Sequence, residues 1–587
     1  MSSILNRTIR MLRSEQMLIA MLAVVTGLAA GLGGIAFRHA IDLFQTLFYG
    51  SPTARLASYA AGLDWWHVLL APAVGGALIG LFRRWLVPGR RYQAVAEVIE
   101  AATLKGGRIG LRDGLTAAVG SAATLGMGGS AGREGPVVHL GATVASVIAQ
   151  ALGLRRSAAM TLLGCGVAAA IAASFNAPIA GVFFALEVVV GHYGLTAFAP
   201  VVLASIVGTI VTRVHFGDYP AFILDSHVIV SFWEIPAFAL LGIVSALVAW
   251  AFMASIFAVD DTMRHFRIPP VVSPALGGLA VGAIAIALPE VLGVGYEATD
   301  LALQGKLAFS MLIALAIAKT LATALTLGSG FSGGVFSPSL FVGAMVGGAF
   351  GVIAAAAVPE GASTVSTYAI VGMASVAGAV LGAPISTILI VFELTANFDL
   401  TIAVMIGAAL AALIANQVIG RSYFRWSLER RGITLGADRA RQMLRQGRVR
   451  DIMATAYVTL AADADRDVMR RELRQNPRGN FLVLDDAHQL VGVLTLEDMK
   501  ALLFGEEDNR DQVATAGDLM HVSHATLTPE DDLATALERM EDCDDDFLPV
   551  VRSAEDRRIA GVIKERDLTL AHNRALAEAG MEARGST

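Results

Sequence analysis

Cysteine is almost missing: Cys165 and Cys543 are the only two in 587 residues. They fall in regions of different composition, so the disulfide framework of a secreted protein is excluded. Charge is scarce as well, at 16% of residues, against about a quarter in an ordinary soluble chain. A net charge of -6 gives no basic footprint for nucleic acid. No nucleophile–base pairing and no metal-ligand spacing stands out, so neither an enzyme nor a metal site is expected. The scarcity of charge is uneven. Residues 421–587 hold 24 Lys+Arg and 31 Asp+Glu, whereas residues 1–420 hold 20 and 19. This pattern predicts a polytopic membrane domain followed by a soluble one.

Long apolar runs are what the first 420 residues do have. Arg7, Arg10 and Arg13 precede an apolar run at 17–36, about long enough to span a bilayer. A basic start before an apolar core also fits a signal peptide, but the many further apolar segments favour an uncleaved first span. The arginines place residues 1–16 in the cytoplasm of an inner-membrane protein, and Arg83, Arg84, Arg90 and Arg91 mark a second cytoplasmic loop. Many later apolar stretches are too short to cross at 1.5 Å per residue. Pro136, Pro178, Pro338 and Pro384 interrupt them. Irregular backbone at membrane depth survives where it is buried in protein or lines a polar cavity, so these breaks point to a transport site.

The breaks recur. Gly132-Arg133-Glu134-Gly135-Pro136 opens one apolar segment, and Gly334-Val335-Phe336-Ser337-Pro338 opens another, 202 residues on. Asn176-Ala177-Pro178-Ile179 leads to Glu187, and Gly382-Ala383-Pro384-Ile385 leads to Glu393, 206 residues on. Two motifs in one order at nearly one offset predict two homologous halves, which in transporters commonly form an inverted repeat. The membrane domain is expected at 17–430.

After a linker at 431–445, the soluble part reads as tandem β-α-β-β-α units at 446–506 and 514–572, with a tail at 573–587. Strands are expected at 458–460, 481–484 and 490–494, with helices at 466–474 and 497–504. Asp451-Ile452-Met453 recurs as Asp518-Leu519-Met520, and Gly492-Val493 recurs as Gly561-Val562. One unit alone buries little core, so the two are expected to pack together. The acidic run at 541–546 reads as a solvated surface.

Glycines before a proline fit a tight turn entering a helix. Free backbone N–H groups at such a start bind anions. Two such starts, at Glu134 and at Val335–Phe336, aimed at one place, hold a halide without a full positive charge. Glu134 in that place, when ionised, occupies an anion position; protonated or displaced, it opens the path. The bland alternative is a structural carboxylate paired with Arg133 or capping its helix.

GREGP at 132–136, GGVFSP at 333–338 and FNAPIAGVFFALE at 175–187 resemble the CLC family of chloride channels and proton-coupled anion exchangers, over about residues 20–430. The following region resembles a pair of CBS domains, which many family members carry. The resemblance implies an all-α membrane domain of broken, tilted helices in an inverted repeat, then a soluble α+β CBS pair. It also implies a homodimer embedded in membrane lipid, with one pathway per subunit for a small inorganic anion. Glu134 is then the gating glutamate, and the amides near Arg133–Glu134 and Val335–Phe336 face the anion. No cofactor is required; adenine nucleotide is the candidate ligand of the CBS pair, through Thr495, Asp498 and Asp567.

Three positions depart from the family pattern. Gln93 falls where a serine hydroxyl is usual, which leaves chloride, nitrate, bicarbonate and fluoride open. Val188 falls where exchangers usually carry an acid on the inner proton route; the family's channels are similar in lacking it. Phe424, with Tyr423 beside it, falls at the inner tyrosine. The expected function is channel-like transport of chloride or a related anion, gated by Glu134. A proton-coupled exchanger is the alternative. A non-conducting nucleotide sensor is the alternative of another class.

Overall fold

The computed structural model describes residues 15–52, 55–86, 94–191, 195–218, 231–359, 361–395, 397–433, 435–476, 480–495, 498–499, 515–521, 525–541, 546–553 and 555–584. The chain divides into two compact units, Met1–Ile433 and Thr434–Ser586.

The first unit is helical. Among the described residues, eight of its helices are long and apolar enough to cross a membrane, from Gln16–Tyr49 to Leu400–Glu429. Pro178–Val190 and Pro384–Thr395 are apolar but short, and at 1.5 Å per residue they fall short of a hydrocarbon core about 30 Å thick. The breaks have local causes. Helix Arg156–Phe175 ends at Asn176, with φ 57°, and helix Val365–Leu381 ends at Gly382, with φ 68°. Both residue types tolerate the left-handed conformation that closes a helix. Two residues later Pro178 and Pro384 open the next helices, where a missing N–H costs nothing.

The halves pack by the same device. Helices Glu134–Ala151 and Arg156–Phe175 touch through Gly141 and Gly166: a Cβ on Gly141 would lie 2.3 Å from the Gly166 carbonyl oxygen, and one on Gly166 2.2 Å from that of Gly141. Helices Phe336–Ala357 and Val365–Leu381 touch through Gly343 and Gly372, each Cβ meeting the other's carbonyl oxygen at 2.5 Å. These glycines repeat at the motif offsets of 202 and 206 residues. The halves also cap each other. Glu187 accepts from the Ile385 N–H at 3.1 Å, the Ser386 N–H at 2.8 Å and the Ser386 hydroxyl at 2.5 Å. Glu393 accepts from the Ile179 and Ala180 N–H groups at 3.0 and 2.7 Å. Each glutamate thus satisfies orphan donors at the opposite half-helix, where the helix dipole favours a negative charge.

In the second unit, strands Thr459–Ala461, Phe481–Leu484 and Leu490–Leu494 form one sheet in that order, the first pair parallel and the second antiparallel. Strands Phe547–Val551 and Ile559–Lys564 form an antiparallel pair. The repeats exchange contacts: Ala454 bridges Val562, and His521 bridges Val493. Leu482, Val493, Phe547 and Val562 share one buried cluster. The helix expected at 497–504 lies almost wholly outside the described residues, as do Cys543 and most of the acidic run.

Candidate functional site

The two glycine-rich starts meet. Gly132 N–H donates to the Gly334 carbonyl at 2.7 Å, and Gly334 N–H donates to the Gly132 carbonyl at 2.9 Å. The contact is an antiparallel bridge, as an inverted repeat requires. Immediately beyond it helices Glu134–Ala151 and Phe336–Ala357 begin. Their first N–H groups have no partner within their own helices, so two positive dipole ends lie side by side.

Glu134 is fully buried at this junction. Tyr296 donates its phenol O–H to Glu134 Oε1 at 2.7 Å, and Ser337 donates its hydroxyl to Oε2 at 2.5 Å. Arg133 Nε stands 3.8 Å from Oε1. The arginine turns aside: its guanidinium lies 4.8 Å from the centre of the Tyr296 ring, and its Nη2 donates to the Ser174 carbonyl at 3.3 Å. Among the described residues this carboxylate is held by two hydroxyls and one distant cation, an arrangement easier to release than a bidentate ion pair.

A cavity of about 50 Å³ adjoins the junction, lined by Glu134, Val335, Phe336, Tyr423 and Phe424, with Asp260 among its other walls. Phe336 packs against Phe175 and Phe184, with ring centres 5.0 and 6.1 Å apart. Tyr423 stacks on Phe257 at 5.4 Å. Helix Tyr423–Glu429 therefore brings both aromatics to one wall. Five of the expected anion-path residues come together here. Arg133 does not line the cavity, because its side chain is spent on Ser174 and Tyr296. Val188 sits half-buried on the π-turn Ala185–Val190, away from the cavity lining. Gln93 lies outside the described residues; its successors Ala94 and Val95 line the cavity.

Three residues were missed in the sequence. Ser337 lies inside the GGVFSP motif, whose pattern of glycines and proline says nothing of its hydroxyl. Lys319 is the one lysine of apolar helix Phe309–Ser329, a signal in itself. It is fully buried and donates to the Val291 and Gly293 carbonyls at 3.0 and 2.9 Å. Those carbonyls belong to the turn that delivers Tyr296. Tyr296 had no motif signal at all.

In the second unit, the Thr495 N–H and hydroxyl donate to Asp498 Oδ2 at 2.8 and 2.7 Å, and His521 Nδ1 lies 3.2 Å from the same oxygen. Asp567 stands in the first turn of helix Glu565–Arg584, in the other repeat.

The fold and the junction of half-helices define a membrane transporter of small anions rather than an enzyme. The family model "Voltage gated chloride channel" matches residues 75–416, and the CBS-domain model matches 449–505 and 516–573. The chain belongs to this CLC family. A putative chloride channel protein, ClcB-like, of Ralstonia nicotianae is 31% identical over 413 residues, covering 70% of this chain and 96% of that protein. The crystal structure of a eukaryotic CLC transporter superposes with a TM-score of 0.62 at 20% identity, over 94% of this chain and 99% of the other. A CLC-type fluoride/proton antiporter superposes at 0.59 and 25% identity, over 70% of this chain and 97% of the other. The chain is thus a multi-pass membrane protein of CLC-type anion transport with a C-terminal CBS region.

Proposed function

We propose that the protein is a passive pathway for chloride or a related small anion, opened when Glu134 is protonated or displaced. One observation carries this reading: a fully buried carboxylate at the junction of two half-helix starts, held by two hydroxyls rather than a close ion pair. Val188 supports the passive form, because a valine carries no proton. Glu187, beside it, is engaged by three donors and is occupied as a cap. Proton-coupled exchange is the second reading, favoured by the fluoride/proton antiporter among the related structures. The arginines of the first sixteen residues support a cytoplasmic N-terminus and, with it, a cytoplasmic CBS pair at about 446–572 in an inner-membrane homodimer. Thr495, Asp498 and Asp567 are its candidate contacts to adenine nucleotide.

The test is anion efflux from liposomes. Glu134→Gln mimics the protonated state; it is expected to keep or raise flux and to abolish its pH dependence. A folded Glu134→Gln protein without flux defeats the gate.

A further inference from the structure

Tyr296 reaches Glu134 from an irregular turn. Gly293 and Gly295 both take left-handed conformations there, with φ 58° and 89°, so the turn needs side chains to satisfy its buried carbonyls. Those of Val291 and Gly293 accept from the Lys319 ammonium at 3.0 and 2.9 Å. Lys319 belongs to helix Phe309–Ser329 and is fully buried. An ammonium is costly to bury, but its several donors tie two carbonyls at once, which a hydroxyl cannot do. A Cβ on Gly295 would lie 2.7 Å from the Phe341 ring and 3.1 Å from Lys319 Nζ, so both close on the residue before Tyr296. Phe341 stands on helix Phe336–Ala357, whose first turn carries Ser337. Just after Tyr296, Glu297 accepts from the Ser58 N–H at 3.1 Å and from the Ser58 hydroxyl. The phenol between these anchors bonds to Glu134 Oε1 and to the Ser337 side chain.

We propose that Lys319 and Glu297 are positioning residues of the gate: by fixing the chain on either side of Tyr296 they hold its phenol on Glu134, and so set how often the carboxylate leaves the anion position. The inference rests on the reading of Glu134 as the gate. A hydrogen bond weakens steeply once donor and acceptor drift out of line. The phenol keeps its 2.7 Å bond to Oε1 only while its backbone stays in place. Neither anchor bonds to Glu134 itself, so each acts through the tyrosine. Loosening either one weakens one of the two hydroxyl bonds that keep the carboxylate in the path.

The experiment is chloride and nitrate efflux from liposomes at clamped voltage, with the full chain, at the pH where wild-type flux is lowest. Each protein's flux is divided by that of its own Glu134→Gln counterpart, so that a general loss of folded protein cancels. Tyr296→Phe, Lys319→Met and Glu297→Ala are each expected to raise this ratio, Tyr296→Phe by about tenfold, the size of one hydrogen bond to a charged group. Added to Tyr296→Phe, neither anchor variant is expected to raise it further. A ratio that an anchor variant leaves unchanged or lowers strikes that residue from the role, as does an effect that persists in full without the phenol. A lysine that only stabilised the fold would leave the ratio unchanged. Val291 and Leu292 pack with Ala318 and Ala322 in one buried cluster, which keeps turn and helix together without the ammonium. Should Lys319→Met still fail to fold, Glu297→Ala decides, because Glu297 is half-buried and its partner Ser58 is exposed. Should Glu134→Gln not conduct, the gate reading is what fails. Calorimetric titration of chloride and nitrate, which needs no flux, then decides the positioning claim. Anion binding tightened by the anchor variants only where Tyr296 is present upholds it, and unchanged binding overturns it.

Discussion

Glu134 shows how much of a site one side chain can set. Its carboxylate is buried, yet its nearest cation stands at 3.8 Å and faces an aromatic ring. Its two short bonds come from neutral hydroxyls, so the nearest donors add no charge of their own to the site. Lys319 stands behind this arrangement. Its ammonium joins the carbonyls of Val291 and Gly293, just before Tyr296. Lys319→Met removes the donor from two buried carbonyls, and a loss of roughly 1–3 kcal/mol for each is expected. Thermal unfolding in detergent measures it; an unchanged midpoint would mean that the lysine does not pin the turn. Gln93 is tested by selectivity. Gln93→Ser is expected to change the relative permeabilities of chloride, nitrate and bicarbonate, and an unaltered series places that stretch off the path.

Between helices, glycine sets the distance. A Cβ on Gly343 would lie 2.5 Å from the Gly372 carbonyl oxygen, and one on Gly141 would lie 2.3 Å from that of Gly166. Gly343→Ala and Gly141→Ala are each expected to cost about 1–3 kcal/mol, because backbone has no rotamer with which to yield. Gly62→Ala is the control, with its Cβ at an ordinary 3.5 Å from the Tyr59 carbonyl. Equal midpoints for all three would show that the helix pairs part more readily than their packing suggests. The broken helices were legible because Asn176, Gly382 and the following prolines are local signals. The repeat was legible through paired offsets. Strands 481–484 and 490–494 were legible through their short apolar runs, whereas the first strand sits one residue later than expected, at Thr459–Ala461, since its register is set by pairing with Phe481–Leu484. Tyr296 was not legible: its partner Glu134 is 162 residues away, and no spacing rule links them. The reciprocal caps were half legible. Glu187 and Glu393 stood out as a repeated pair, but that each serves the opposite half follows only from the fold.

For the molecule as a whole, the open distinction is between a rate controlled by protons and a flux coupled to them. Gating by protonation changes how fast anions flow down their gradient; coupling moves protons against theirs. A proton crossing an apolar section needs a titratable group or a held chain of water. Val188 supplies no group, and water beside it is costly unless polar neighbours hold it. Glu187 is the nearest acid in sequence, but both its oxygens are taken by the Ile385 and Ser386 donors. Asp260 lines the cavity, but its carboxylate is engaged in ion pairs, with Arg264 at 2.9 Å and Arg430 at 3.6 Å. An outward anion gradient is therefore expected not to drive protons uphill, even where anion flux depends on pH through Glu134. The measurement is internal pH in liposomes during anion efflux, with no initial proton gradient and with voltage clamped by an ionophore. Stoichiometric proton uptake that Glu134→Gln abolishes would establish an exchanger. In that event Glu187→Gln and Asp260→Asn identify the carrier: the variant that loses proton uptake while keeping anion flux marks the route past Val188.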